Sequence, residues 1–193
     1  MTLSISAILG LAGQILFIGS IVSVCCRTAS PRLRIAMLVL TGLILLIPIH
    51  GLVLAAYPRG MWGDLSVTSM SVALLEWCAP KHARVLRHQL LWLLPLGLVL
   101  MATALGFGYQ YYAWGYTSAF GIVIAASALL CFWRQQKSLA WVLLAASAGW
   151  QLQLLESRNA WDYVLDVPLL IWLIVILCMG QLNRYPRRLR FHH

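Results

Sequence analysis

Asp162 and Asp166 stand four residues apart in the stretch LLESRNAWDYVLDVP (154–168), which also carries Glu156. On a helix this spacing stacks two carboxylates on one side. Like charges so placed repel, so a nearby cation, hydrogen bonds or protonation must compensate. The 193-residue chain has only five Asp or Glu, and three of them fall here. Asp64 is a fourth, at the start of an apolar run, and His50, in LIPIHG, is the histidine that lies inside one. At about 1.5 Å per residue, His50 sits roughly 9 Å inside the end of its run, and Asp166 reaches a similar depth from the same side.

His50, Asp64 and Asp166 therefore form a candidate polar pocket, because ionisable groups at membrane depth are costly and commonly functional. Each has a structural reading as well, which weighs more. Asp64 and Asp166 precede apolar runs, where a carboxylate caps free N–H groups and meets the positive end of the helix dipole. Pro168 suits the first turn of such a helix. His50 can bond a carbonyl freed by Pro48. Asp162, nearer the water, is expected to tolerate Asn better than Asp166, since exposed charges contribute little to stability. Arg59 and Arg158 are the basic residues closest to these acids in the threading given below.

A second cluster is aromatic. Tyr109, Tyr111, Tyr112, Trp114 and Tyr116 fall within eight uncharged residues. Interfacial anchoring accounts for such residues in general. The density here also makes Tyr111, Tyr112, Trp114 and Tyr116 a candidate head-group surface, since these rings pair an apolar face with a polar edge.

The elements that must position these residues are membrane helices. The chain is 62% hydrophobic and 10% charged, with a mean hydropathy of +0.84. Soluble domains carry about 25% charge. Apolar runs cover 4–25, 35–56, 60–79, 89–108, 117–133, 139–155 and 161–183, and about 20 helical residues cross a bilayer. Period-2 alternation is absent, which argues against a β-barrel. The expected fold is all-α, a polytopic bundle of seven transmembrane helices in one domain. The N-terminal run lacks the basic start of a secretory signal and reads as a retained first helix.

Orientation follows from charge. With the N-terminus outside and seven crossings, Arg27, Arg32, Arg34, Lys81, Arg84 and Arg87 lie on the cytoplasmic side. Arg134, Lys137, Arg184, Arg187, Arg188 and Arg190 lie there too, which makes twelve of the fourteen basic residues. Omitting the third span gives at best ten, so the positive-inside bias favours seven. The five cysteines, Cys25, Cys26, Cys78, Cys131 and Cys178, then all sit at cytoplasmic helix ends. That argues against a disulfide framework. Four acids share the outer face, while Glu76 lies at the inner end near Lys81 and Arg84 and reads as an interfacial ion pair. Asp64, Thr68 and Ser71 form one stripe on the third helix, flanked by Ser66, Ser69 and Ala73, and with AASAG (145–149) they read as close helix contacts.

The dispersed basic residues exclude a nucleic-acid interface, and one deep His with scattered acids gives no metal-ligand spacing. No cofactor is implied. The seven-helix plan invites comparison with retinal proteins, but the last span has no Lys for a Schiff base. Gly-x-Ser-x-Gly, His-Glu-x-x-His and Walker motifs are missing from the spans, so no residue is assigned a catalytic role. The resulting expectation is a noncatalytic accessory or scaffolding subunit of a membrane or cell-envelope assembly complex. It would contact membrane lipids and a membrane-protein partner in a bacterial inner membrane. The alternatives are an enzyme or carrier for a lipid-linked substrate at the outer leaflet, and a proton-coupled small transporter. Reporter fusions after Tyr57, Arg87 and Arg190 should read outside, inside and inside. An outside signal after Arg87 would remove the third crossing.

Overall fold

The structure is a computed structural model that describes residues 5–25 and 30–188. Cys26, Arg27 and Arg190 lie outside the described residues. Among those described, the fold is predominantly helical. Its α-helices are α1 (Ile5–Cys25), α2 (Pro31–Leu45), α3 (Ala56–Trp62), α4 (Val67–Cys78) and α5 (Pro80–Leu90). They continue with α6 (Leu94–Ala104), α7 (Ser118–Trp133), α8 (Lys137–Gln151), α9 (Trp161–Val164) and α10 (Val167–Arg188). A 3₁₀ turn at Leu91–Leu93 joins α5 to α6, so Pro80–Ala104 runs as one 25-residue apolar helix. Among the described residues, it and Ile5–Val22 are the two helices long and apolar enough to cross a membrane. Ile35–Leu45, Val67–Cys78, Ser118–Trp133 and Val167–Cys178 are shorter apolar helices.

The expected continuous helix over 35–56 does not form. Ser30 caps α2 by accepting from the Leu33 N–H, and the helix stops at Leu45, short of Pro48. Pro48–Ile49 then pairs antiparallel with Leu52–Val53. His50 (φ +51°) and Gly51 (φ +85°) form the turn between these strands. Both central residues are left-handed, as a two-residue type I′ hairpin requires, and Gly supplies this conformation most readily. A proline at the head of this segment blocks the helix by lacking an N–H and clashing with the preceding turn. The span expected over 60–79 is also divided, because α3 ends at Gly63 (φ +81°) and α4 restarts at Val67.

Side-chain contacts fix the helix directions. Gly19 of α1 faces Leu38 and Gly42 of α2 faces Ile15, so α1 and α2 are antiparallel. Gly13 faces Leu65 and Met70 while Gly19 approaches Trp77, so α1 and α4 run the same way. Phe132 of α7 meets Trp141 of α8 with ring centroids 5.4 Å apart, and Gly121 near the start of α7 packs on Trp150 near the end of α8. These two helices are therefore antiparallel. The ends of α6 and α8 and the starts of α4, α7 and α10 gather with α3 at one end of the bundle.

The core joins α4, α5, α8 and α10 through buried Val72, Leu86, Leu90, Leu143, Leu169 and Leu173. Ala83, Ala140 and Ala146 are fully buried and let these helices approach closely. Outside this core the surface is strongly apolar: Trp92 is 82% exposed, Ile122 72% and Leu129 66%. On a water-facing protein, apolar exposure of this extent marks a contact surface.

The buried face of α4 is Thr68, Ser69, Val72, Ala73 and Glu76, which turns the expected stripe toward its flank and leaves Ser71 at the side. Glu76 pairs with Arg87 of α5 at 2.8 Å, not with Lys81 or Arg84, and both side chains are largely buried. Arg87 lies on the face of α5 that α4 covers, whereas Lys81 and Arg84 are exposed. Removing one partner of a buried pair leaves an uncompensated charge. Arg87→Ala should therefore cost about 3–5 kcal/mol, and changing Glu76 and Arg87 together to Leu should recover most of it. Unfolding of the purified single and double variants measures both.

Candidate functional site

The segment from Leu152 to Asp166 builds one end of the bundle. Its backbone is irregular apart from the single turn of α9, so side chains satisfy much of it. Tyr163 is fully buried. Its hydroxyl accepts from the Leu155 N–H at 3.0 Å and donates to the Ser157 carbonyl at 3.2 Å. The Trp150 indole donates to the Arg158 carbonyl at 2.9 Å. Asn159, also fully buried, donates to the Tyr112 carbonyl at 3.1 Å and accepts from the Trp161 N–H at 3.0 Å.

Each of the four acids at this end has defined partners. Asp166 caps α10: its Oδ1 accepts from the Leu169 N–H at 2.6 Å. Its Oδ2 accepts from the Ser66 N–H at 2.5 Å. Ser66 in turn caps α4 by accepting from the Ser69 N–H. The capping position anticipated for Asp64 thus belongs to Ser66, two residues later. Asp64 accepts from Arg59 Nε at 2.6 Å and from the Glu156 N–H at 3.1 Å. Arg59 Nη2 reaches Glu156 at 2.6 Å. Gly10 of α1 makes room for this pair, since a Cβ there would collide with Asp64 and Arg59. The hydrogen bond to Asp64 holds the Arg59 guanidinium more firmly protonated than usual, against the opposing effect of burial.

Asp162 accepts from the Tyr112 hydroxyl at 2.7 Å and from the Ser157 hydroxyl. It is half-buried, not the water-facing charge expected. Burial, and then the bond to Asp162, push the Tyr112 phenol well above its ordinary range. Tyr112 therefore stays a neutral donor at any physiological pH.

These groups surround a cavity of about 550 Å³. Asp64, Glu156, Asp162 and Asp166 all line it, with Ser157 and Tyr112. The rest of its lining is apolar and comes mainly from Leu100 and Met101 of α6, Leu105 just after it, and Leu165 and Leu170. Trp62 and Trp161 complete it. Two of the three residues expected to form a polar pocket, Asp64 and Asp166, thus share one cavity, and His50 does not line it. His50 is exposed at the hairpin turn because the helix that would have carried it inward ends at Leu45.

The aromatic segment forms a 3₁₀ stretch, Tyr111–Tyr116. Tyr112 turns into the cavity. Tyr111 and Trp114 remain partly exposed and pack edge to face at 5.5 Å, with Tyr109 beside them. Tyr116 is exposed and meets Tyr112 at 6.3 Å. Gly115 lets the stretch lie against Asn159, where a Cβ would collide with the amide oxygen. Arg59, Glu156, Asp162 and Asn159 join the site without having been selected for it. For Glu156, Asp162 and Asn159 the signal was their place in the acid-rich segment 154–168, whereas Arg59 comes from α3, 97 residues before Glu156.

Among the described residues, no three His, Cys, Asp or Glu side chains form a group able to hold a metal ion. Comparison of the chain with family models, with curated proteins and with solved structures gives no match. Asn159→Ala should strip partners from the Tyr112 carbonyl and the Trp161 N–H. A loss of about 1–3 kcal/mol is expected for each buried group left unsatisfied. A lowered unfolding midpoint, with increased proteolysis between Gly106 and Thr117, would report it.

Proposed function

We propose that this chain is an integral membrane protein that holds the head group of a membrane lipid or lipid-linked molecule in the cavity, without itself catalysing a reaction. The observation that carries this reading is the cavity's mixed lining. Acids, hydroxyls and indoles line it together with the leucines and methionine of α6 and α10. An amphiphile at a membrane surface combines the same two kinds of chemistry. The apolar exterior of α2, α6 and α7 supports a lipid environment.

In this proposal the chain crosses seven times, with the N-terminus outside and the C-terminus cytoplasmic. The passes are α1, α2, α4, the joined α5 and α6, α7, α8 and α10. The antiparallel pairing of α1 with α2 and of α7 with α8, and the parallel course of α1 and α4, support alternation. Helices shorter than 20 residues are accommodated by local thinning of the bilayer and by flanking side chains. The cavity then opens at the outer leaflet, and Lys81, Arg84, Arg134 and Lys137 lie at the opposite, cytoplasmic end. A bacterial inner membrane suits this charge bias.

The acids bond chiefly to neighbouring backbone and side chains, which suits a binding role better than acid–base turnover. An accessory or carrier subunit of an envelope-assembly complex is the corresponding place for the protein. Purification in mild detergent, followed by lipid extraction and mass spectrometry, tests the proposal. A lipid should be retained near stoichiometry. Ala104→Trp, which fills the cavity, should reduce retention about tenfold, equivalent to about 1.4 kcal/mol. A folded protein that carries a protein partner and no lipid would overturn the lipid-holding role.

A further inference from the structure

We infer that the head group taken by this cavity carries a protonated amine, as an ethanolamine-type lipid does. The inference rests on the lipid-holding role proposed above and adds its chemical class.

Four carboxylates line the cavity, and Arg59 pairs with two of them, Asp64 and Glu156. Asp162 and Asp166 are met instead by neutral donors: the hydroxyls of Tyr112 and Ser157, and the N–H groups of Ser66 and Leu169. Those donors are used up in holding the acids. The lining therefore combines carboxylates with aromatic side chains, and these donors are already committed to the acids. The excess of negative charge at this site stands on a chain of formal net charge +9, so it is local to the cavity.

Trp62, Tyr112 and Trp161 are the aromatic part of the lining. Aromatic faces attract cations through the ring quadrupole, and more strongly when the cation is desolvated. Carboxylates and indoles together therefore favour an organic ammonium. A phosphate or sulfate terminus would instead meet like charge without spare N–H donors, which disfavours it. Anionic lipids have better positions beside the basic end of the bundle.

The test uses the full-length protein, delipidated in detergent, with native mass spectrometry measuring binding of three lipids with identical chains. These are a phosphatidylethanolamine, its N-acetylated derivative and a phosphatidylglycerol. The ethanolamine lipid should bind at least about tenfold more tightly than the other two. Equal binding of all three would overturn the ammonium inference and leave the lipid-holding role intact. Failure to hold any of them would overturn that role as well. Soluble glycerophosphoethanolamine should compete weakly. Competition as strong as that of the whole lipid would keep the ammonium chemistry and show that a free amine is the ligand. Asp162→Asn should bring the preference close to unity, whereas Asp162→Glu, which keeps the charge, should retain it.

Discussion

One carboxylate holds the starts of two helices together. Asp166 caps α10 with one oxygen and accepts the Ser66 N–H with the other, across 100 residues of sequence. Helix starts leave N–H groups without intrahelical partners, and in apolar surroundings such groups are expensive to leave free. Here two of these ends share one acceptor. The shared acceptor fixes where α4 and α10 begin relative to each other, and the cavity opens beside them. Asn could cap α10, but it would present one acceptor oxygen and an amide where Asp presents two acceptors.

A second tie works beside the first. Arg59 closes the turn between α3 and α4 onto Asp64 and reaches Glu156, 97 residues away. Gln14 adds α1 to the same turn by donating to the Gly63 carbonyl and accepting from the Trp62 indole. Charges and amides thus do at this end what packed leucines do along the helices. They also set its polarity: the acids are positioned first by the fold, and their presence around a cavity follows from that positioning.

Much of this arrangement was legible in the residues. The scarcity of acids made each one informative, and their clustering in 154–168 pointed to the end of the bundle where the cavity lies. Asp64 and Asp166 both precede apolar runs, and both line the cavity. The hydropathy of LIPIHGLVL is continuous and reads as one helix carrying His50 inward, but the helix stops at Leu45. Pro48 and the His50–Gly51 pair carried the contrary signal, a helix stop and then a tight hairpin. The place of Asp162 in the sequence, four residues before Asp166, suggests a position nearer the water. Its burial comes from Tyr112, 50 residues away, and no local pattern encodes such a partner. The partner of Glu76 is hidden for a related reason: Lys81 and Arg84 are closer in sequence, but the turn at Ala79–Pro80 brings Arg87 against α4.

The sequence separations across the site also dictate an order of assembly. During synthesis α1, α3 and α4 emerge before residue 80, and Arg59 and the Ser66 N–H are then present without the groups from 156 and 166 that complete their bonding. Contacts this distant form late, because the loop between them must close first. The growing chain therefore carries a half-built site through most of its translation, and Asp64 is the partner that Arg59 has in the meantime. Arrival of α10 completes the site, so a finished cavity reports that the chain as far as α10 has folded into place.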